Sequence, residues 1–85
     1  MRYRAHPDFW TCYRQLPDEI QELADKNFEL LKSNSRHPSL RLKKIGDYWT
    51  ARVGRDYRAV AIEVDDGLMW TWIGPHDEYE RLING

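Results

Sequence analysis

The spacing of apolar residues changes once along this chain, and that change limits what it can fold into. Before the change, Ile20, Leu23, Ala24, Asn27, Leu30 and Leu31 recur at three- and four-residue steps, the signature of an amphipathic helix. After it, Trp49, Ala51 and Val53 alternate with Tyr48, Thr50 and Arg52, the period of a half-buried strand. The segment Ser33-Asn34-Ser35-Arg36-His37-Pro38-Ser39 lies between the two regimes and is the only loop long enough to divide them. A helical half followed by a β half defines an α+β chain with helices laid against a sheet.

Turn chemistry fills in the elements. Met1 to Ala5 suits a short edge strand, and His6-Pro7 breaks it. Asp8 to Arg14, with Phe9, Trp10 and Tyr13, suits one or two helical turns. Pro17 fits a first helical position, Asp18 and Glu19 fit the positive end of the helix dipole, and Lys32 fits its last turn. Leu40, Leu42 and Ile45 flank Lys43-Lys44, and Gly46-Asp47 and Gly54-Arg55-Asp56 are turns. Tyr57 to Val64 is apolar on both faces, as a central strand is. Asp65-Asp66-Gly67 is a hairpin turn, and Leu68 to Ile73 is a last strand that Gly74-Pro75 ends. The expected architecture is one domain over residues 1–85. An N-terminal helix pair covers one face of a three- to four-stranded antiparallel sheet, a short helix starts at His76, and the other face is partly open. The two-residue spacing of Trp70 and Trp72 puts both on one strand face.

Eighty-five residues bury one modest core. No apolar run is long enough for a transmembrane helix, and the N-terminus lacks the apolar stretch of a secretory signal. A lone cysteine, Cys12, excludes an internal disulfide and a cysteine-based metal cluster, and fits a structural role in the reducing cytoplasm. The formal net charge of −1 hides an asymmetry. From Leu31 to Val60, eight Lys and Arg face two acids, whereas from Ala61 to Gly85 one basic residue faces six acids. Such a basic middle segment suits a surface that meets phosphate or an acidic partner, or else a solvated face whose acids return on folding.

The chemistry-bearing residues gather around one sheet end. His76 and Tyr79 are three residues apart at the start of the last helix, so they share a helical face. Arg52 and Arg58 lie on strands joined by the Gly54-Arg55-Asp56 turn and can meet across the ladder. An arginine fork matches two phosphate oxygens, and a histidine moves protons near neutrality. The competing readings are structural: Arg58 bound to Glu63, Asp77 or another acid, His76 as a packed helix start, and Tyr79 packed on Trp72. His6 and His37 have no ligand-like spacing to His76, so no metal site is expected.

In order and spacing, four fragments resemble the RelE/ParE toxin superfamily of bacterial toxin–antitoxin modules, its RelE-like branch in particular. They are Pro38-Ser39-Leu40-Arg41-Leu42-Lys43-Lys44-Ile45, Tyr48-Trp49-Thr50-Ala51-Arg52-Val53, Asp56-Tyr57-Arg58-Ala59-Val60 and Trp72-Ile73-Gly74-Pro75-His76-Asp77-Glu78-Tyr79. The resemblance implies a ribosome-dependent messenger-RNA endoribonuclease that uses the RNA's own 2′-hydroxyl and needs neither metal nor cofactor. It assigns Arg58 as phosphate clamp, Arg52 as its assistant, and His76 and Tyr79 as acid or base with an aromatic partner. Lys43 and Lys44 become RNA-backbone contacts, with Arg41 and Arg55 of the same basic segment. The implied partners are a cognate antitoxin, the ribosome and its message, with no membrane, and DNA binding is not assigned to this chain. Two departures stand out: relatives are commonly basic overall, and several carry a basic residue where Thr50 stands. The alternatives are a ParE-like poison of DNA gyrase and a degenerate antitoxin-binding module without catalysis.

Overall fold

The computed structural model describes residues 2–84. The chain runs β1 (Arg2–Ala5), α1 (Pro7–Tyr13), α2 (Asp18–Ser33), a 3-10 turn (Pro38–Leu40), β2 (Lys43–Ile45), β3 (Tyr48–Val53), β4 (Tyr57–Val64), β5 (Gly67–Pro75) and α3 (His76–Asn84). Met1 of the expected edge strand, and Gly85, lie outside the described residues. One five-stranded sheet has the order β1-β5-β4-β3-β2. Strands β2 to β5 form the antiparallel meander, and β1 joins parallel to β5 at the far edge. The sheet therefore has five strands where the sequence suggested three or four. The fifth comes from the other end of the chain, and local pattern says nothing about so distant a pairing. Gly67 makes it possible, because a Cβ there would overlap the Arg2 carbonyl oxygen.

Helix α1 begins at a side-chain cap, and α2 begins at a proline without one. The His6 imidazole accepts from the Asp8 amide at 3.0 Å, and Pro7 occupies the first turn of α1. Pro17 is the N-cap of α2, one position before its expected place, with Asp18 and Glu19 in the first turn and Lys32 in the last. Both helices pack on the sheet face that carries Ala51, Val53, Ala59, Ala61, Leu68 and Ile73. Small residues at the centre of β3 and β4 let Leu31 and Leu40 sink to nearly complete burial. Leu40 lies in the 3-10 turn and not in a strand, so β2 starts only at Lys43.

Two findings correct the expected shape of β5. Val60 pairs with Trp72 and Ala61 with Trp70, which leaves Thr71 as an extra residue in a β-bulge. The bulge reverses alternation, so Trp70 enters the core under the helices while Trp72 goes to the other face with Val60. The two tryptophans do not share a face. Gly74-Pro75 does end the strand, but from inside the ladder and not beyond it: Gly74 pairs with Arg58, Pro75 pairs with Tyr57, and α3 starts at the next residue. Proline is tolerated there because β1 pairs only with Gly67–Trp70, so β5 is an edge strand at that end and no neighbour needs the missing N–H. The second face is only partly open, since α3 packs over β4 and β5 with Tyr79 buried between them. No helix among the described residues is long and apolar enough to cross a membrane.

Candidate functional site

The β3–β4 hairpin sets the site. Its three-residue turn uses Gly54 at φ 64°, a left-handed conformation that favours glycine, and a Cβ there would also meet Leu23 Cδ2 at 2.5 Å. The turn fixes the register so that Arg52 stands directly opposite Arg58. Both belong to the face opposite the α1/α2 core, because their neighbours Ala51, Val53 and Ala59 are buried on it. Arg52 Nε donates to the Gly54 carbonyl at 2.8 Å, which holds its guanidinium near the turn. From the other side, Asn27 Nδ2 donates to the Arg52 carbonyl at 3.1 Å and ties the strand end to α2.

The His76 amide donates to the Asp56 carbonyl at 2.8 Å, so the start of α3 is fastened to the same turn. Arg52, Arg55, Tyr57, Arg58 and His76 therefore border one open groove of about 560 Å³, together with Asp56, Pro75 and Asp77. Among the described residues, none of the three arginines forms an ion pair with an acid. The expected competitors for Arg58, Glu63 and Asp77, do not bind it. Two unneutralised guanidinium groups directly across a ladder repel each other, and an anion between them relieves that repulsion.

Tyr79 supports the groove from beneath and does not line it. It is 7% exposed, the Arg58 guanidinium lies 5.6 Å from its ring centroid, and its ring centroid is 5.8 Å from that of His76. Its aromatic face thus positions the cation and the imidazole together. The RNA-contact candidates part company. Arg55 lines the groove. Arg41 is an exposed left-handed residue (φ 46°) closing the 3-10 turn, outside the groove. Lys43 pairs with Thr50 and shares the arginine face, whereas Lys44 pairs with Trp49 on the opposite one. Lys44 Nζ is also bound to Glu63 Oε1 at 3.2 Å.

Glu80 belongs to the site although sequence reasoning passed over it. Its Oε1 lies 3.5 Å from His76 Nδ1 on the next helical turn. The four-residue spacing was the available signal, and it competed with the ordinary reading of an acid on a short surface helix. The part played by the Asp56 carbonyl had no signal, because it follows from strand register.

Compared by sequence, the chain matches no protein-family model and no curated protein. Compared by structure, it is similar to the RelB-RelE antitoxin-toxin complex from Methanococcus jannaschii, with TM-score 0.72 and 20% identity over 93% of this chain and 96% of that one. YafQ from E. coli superposes with TM-score 0.72 at 13% identity, covering 92% and 96%. The YoeB/ParE toxin from Agrobacterium tumefaciens gives TM-score 0.66 at 15% identity, covering 89% and 99%. The chain shares the α+β fold of these three structures over nearly its full length.

Proposed function

We propose that this chain is the toxin of a type II toxin–antitoxin module and a ribosome-dependent endoribonuclease that cleaves messenger RNA without a metal ion. The observation that carries this reading is the convergence of Arg52, Arg58 and His76 on one open groove of nucleotide size. In this account Arg58, steadied by Tyr79, grips two oxygens of the scissile phosphate, and Arg52 adds charge from across the ladder. The 2′-hydroxyl oxygen attacks phosphorus and gives up its proton, the bond to the 5′ oxygen breaks, and that oxygen takes up a proton. The products are a 2′,3′-cyclic phosphate and a 5′-hydroxyl. His76, oriented by Glu80, carries out one of the two proton transfers, and the arginines stabilise the charge that builds on the pentacoordinate phosphorus.

A cognate antitoxin is the implied partner. The RelE, YafQ and YoeB relatives include complexes with antitoxins, among them the E. coli DinJ-YafQ toxin-antitoxin complex. Expression without an antitoxin tests the whole proposal. The wild type arrests growth, Arg58→Ala restores it, and His76→Ala weakens the effect by about tenfold or more, the size of lost acid–base help. Growth arrest undiminished by either substitution would refute the site. Inhibition of purified DNA gyrase would favour the ParE-like alternative.

A further inference from the structure

The opposite side of the molecule holds a second groove, between α1 and α2, of about 350 Å³. It shares no lining residue with the Arg58–His76 groove. We infer that this groove binds an arginine side chain presented by a partner polypeptide. The inference is independent of the nuclease reading.

Helix α1 has seven residues and buries none of them, yet it carries three aromatic rings. Trp10 stands edge-to-face against both Phe9 and Tyr13, with ring centroids 5.2 Å apart in each pair. Trp10 remains 42% exposed, so this cluster does not serve only the core. Phe28 supplies the facing wall, and Asp25 and Glu29 stand one turn apart on α2 at the mouth. The Tyr13 hydroxyl donates to Asp25 Oδ1 at 2.9 Å and sets the direction of that carboxylate.

Ring faces beside an oriented carboxylate recognise an organic cation. The chain makes this contact itself at one end of the groove. The Lys32 ammonium lies 5.0 Å from the Phe28 centroid while bonded to Glu29 at 2.9 Å. The Asp25 end repeats the chemistry, but among the described residues Asp25 has no cation within 4 Å. A guanidinium fits this place better than an ammonium, because its plane can stack on Trp10 while its fork meets the carboxylate. The groove lies open between two helices, so one side chain can enter while its main chain stays outside.

The test is an NMR titration of the full chain with two blocked hexapeptides. One carries a central arginine and the other a central citrulline, which has nearly the same shape and no charge. The arginine peptide is expected to shift the Trp10 indole N–H and the Phe28 amide, and to bind roughly fivefold to tenfold more tightly than the citrulline peptide. Asp25→Asn, which keeps an acceptor for Tyr13, and Trp10→Ala are each expected to weaken binding by a similar factor, read at the Phe28 amide. Equal binding of the citrulline peptide, shifts elsewhere on the surface, or no shifts at millimolar peptide would overturn the proposal. Free arginine binding as tightly as the peptide would overturn the polypeptide as its source. If Trp10→Ala fails to fold, Asp25→Asn decides.

Discussion

Arg58 and Arg52 form a directly opposed, like-charged pair with no acid between them, and this has a measurable consequence. Added phosphate or sulfate should raise the thermal midpoint of the wild type, because an anion that binds only the folded state stabilises it by mass action. Arg58→Gln should lose most of that response. An equal response in both proteins would place the anion elsewhere. A second expectation concerns Glu63, whose carboxyl is held below the usual glutamate range first by the hydrogen bond from Trp49 Nε1 at 2.8 Å and then by Lys44. A carboxyl with its pKa lowered in the folded chain contributes stability above its unfolded pKa and loses it as pH falls through the folded one. The midpoint of Glu63→Gln should therefore fall less than that of the wild type on acidification through the range just below the ordinary glutamate pKa, about 4.3 and under. At this scale the sequence was a good guide to residue types and a poor one to contacts. Arg52, Arg58 and His76 could be placed at one sheet end from turns and alternation alone. That Tyr79 is buried and that Lys44 pairs with Glu63 on the far face depend on side-chain packing that no spacing rule encodes, while the four-residue step from His76 to Glu80 is one that any acid on a short surface helix could show.

The Thr71 bulge is the element-scale feature on which the aromatic distribution depends. Two residues of β5 oppose one step of β4 there, so deleting Thr71 should restore a regular ladder with Trp70 and Trp72 still on their own faces. That deletion should cost only about 1–2 kcal/mol in chemical denaturation, the usual scale of a local change. Deleting Met69, which would turn Leu68 to the wrong face, should abolish cooperative folding. Gly74 is constrained for a different reason. A Cβ there would stand 2.6 Å from Trp72 Cζ2 and 2.9 Å from Cη2, so Gly74→Ala must displace the indole. The expected loss is about 1–3 kcal/mol, the cost of overpacking, and a neutral result would mean that the indole moves freely. Element types were legible because the apolar period is unambiguous in α2 and β3. The bulge was not, since Trp70-Thr71-Trp72 has the alternation of a regular strand and the extra residue shows only against its partner. The parallel pairing of β1 was hidden for the same reason: its two strands lie at opposite ends of the sequence.

Across the whole molecule, the sheet divides two surfaces of different chemistry. One bears the arginine groove and α3, and the other bears the α1/α2 helices with their aromatic and acidic rim. The basic middle segment of the sequence contributes to the first only through Arg52, Arg55 and Arg58, with Lys43 on the same face. Lys44 is spent on a pair with Glu63. The net charge of −1 therefore does not oppose phosphate binding, because no acid among the described residues forms an ion pair with the three arginines. Asp56 and Asp77 do line the groove, and Glu80 contacts His76 beside it. The proposed nuclease joins a phosphate clamp and a proton-transfer group in one groove, and cleavage of a message on purified ribosomes is the decisive test of that pairing. The wild type is expected to cut ribosome-bound message in the presence of a chelator, each cut leaving a 2′,3′-cyclic phosphate. These cuts should be absent with Arg58→Ala and at least about tenfold slower with His76→Ala. Cleavage at the wild-type rate by both variants, or no cleavage by a correctly folded wild type, would contradict it.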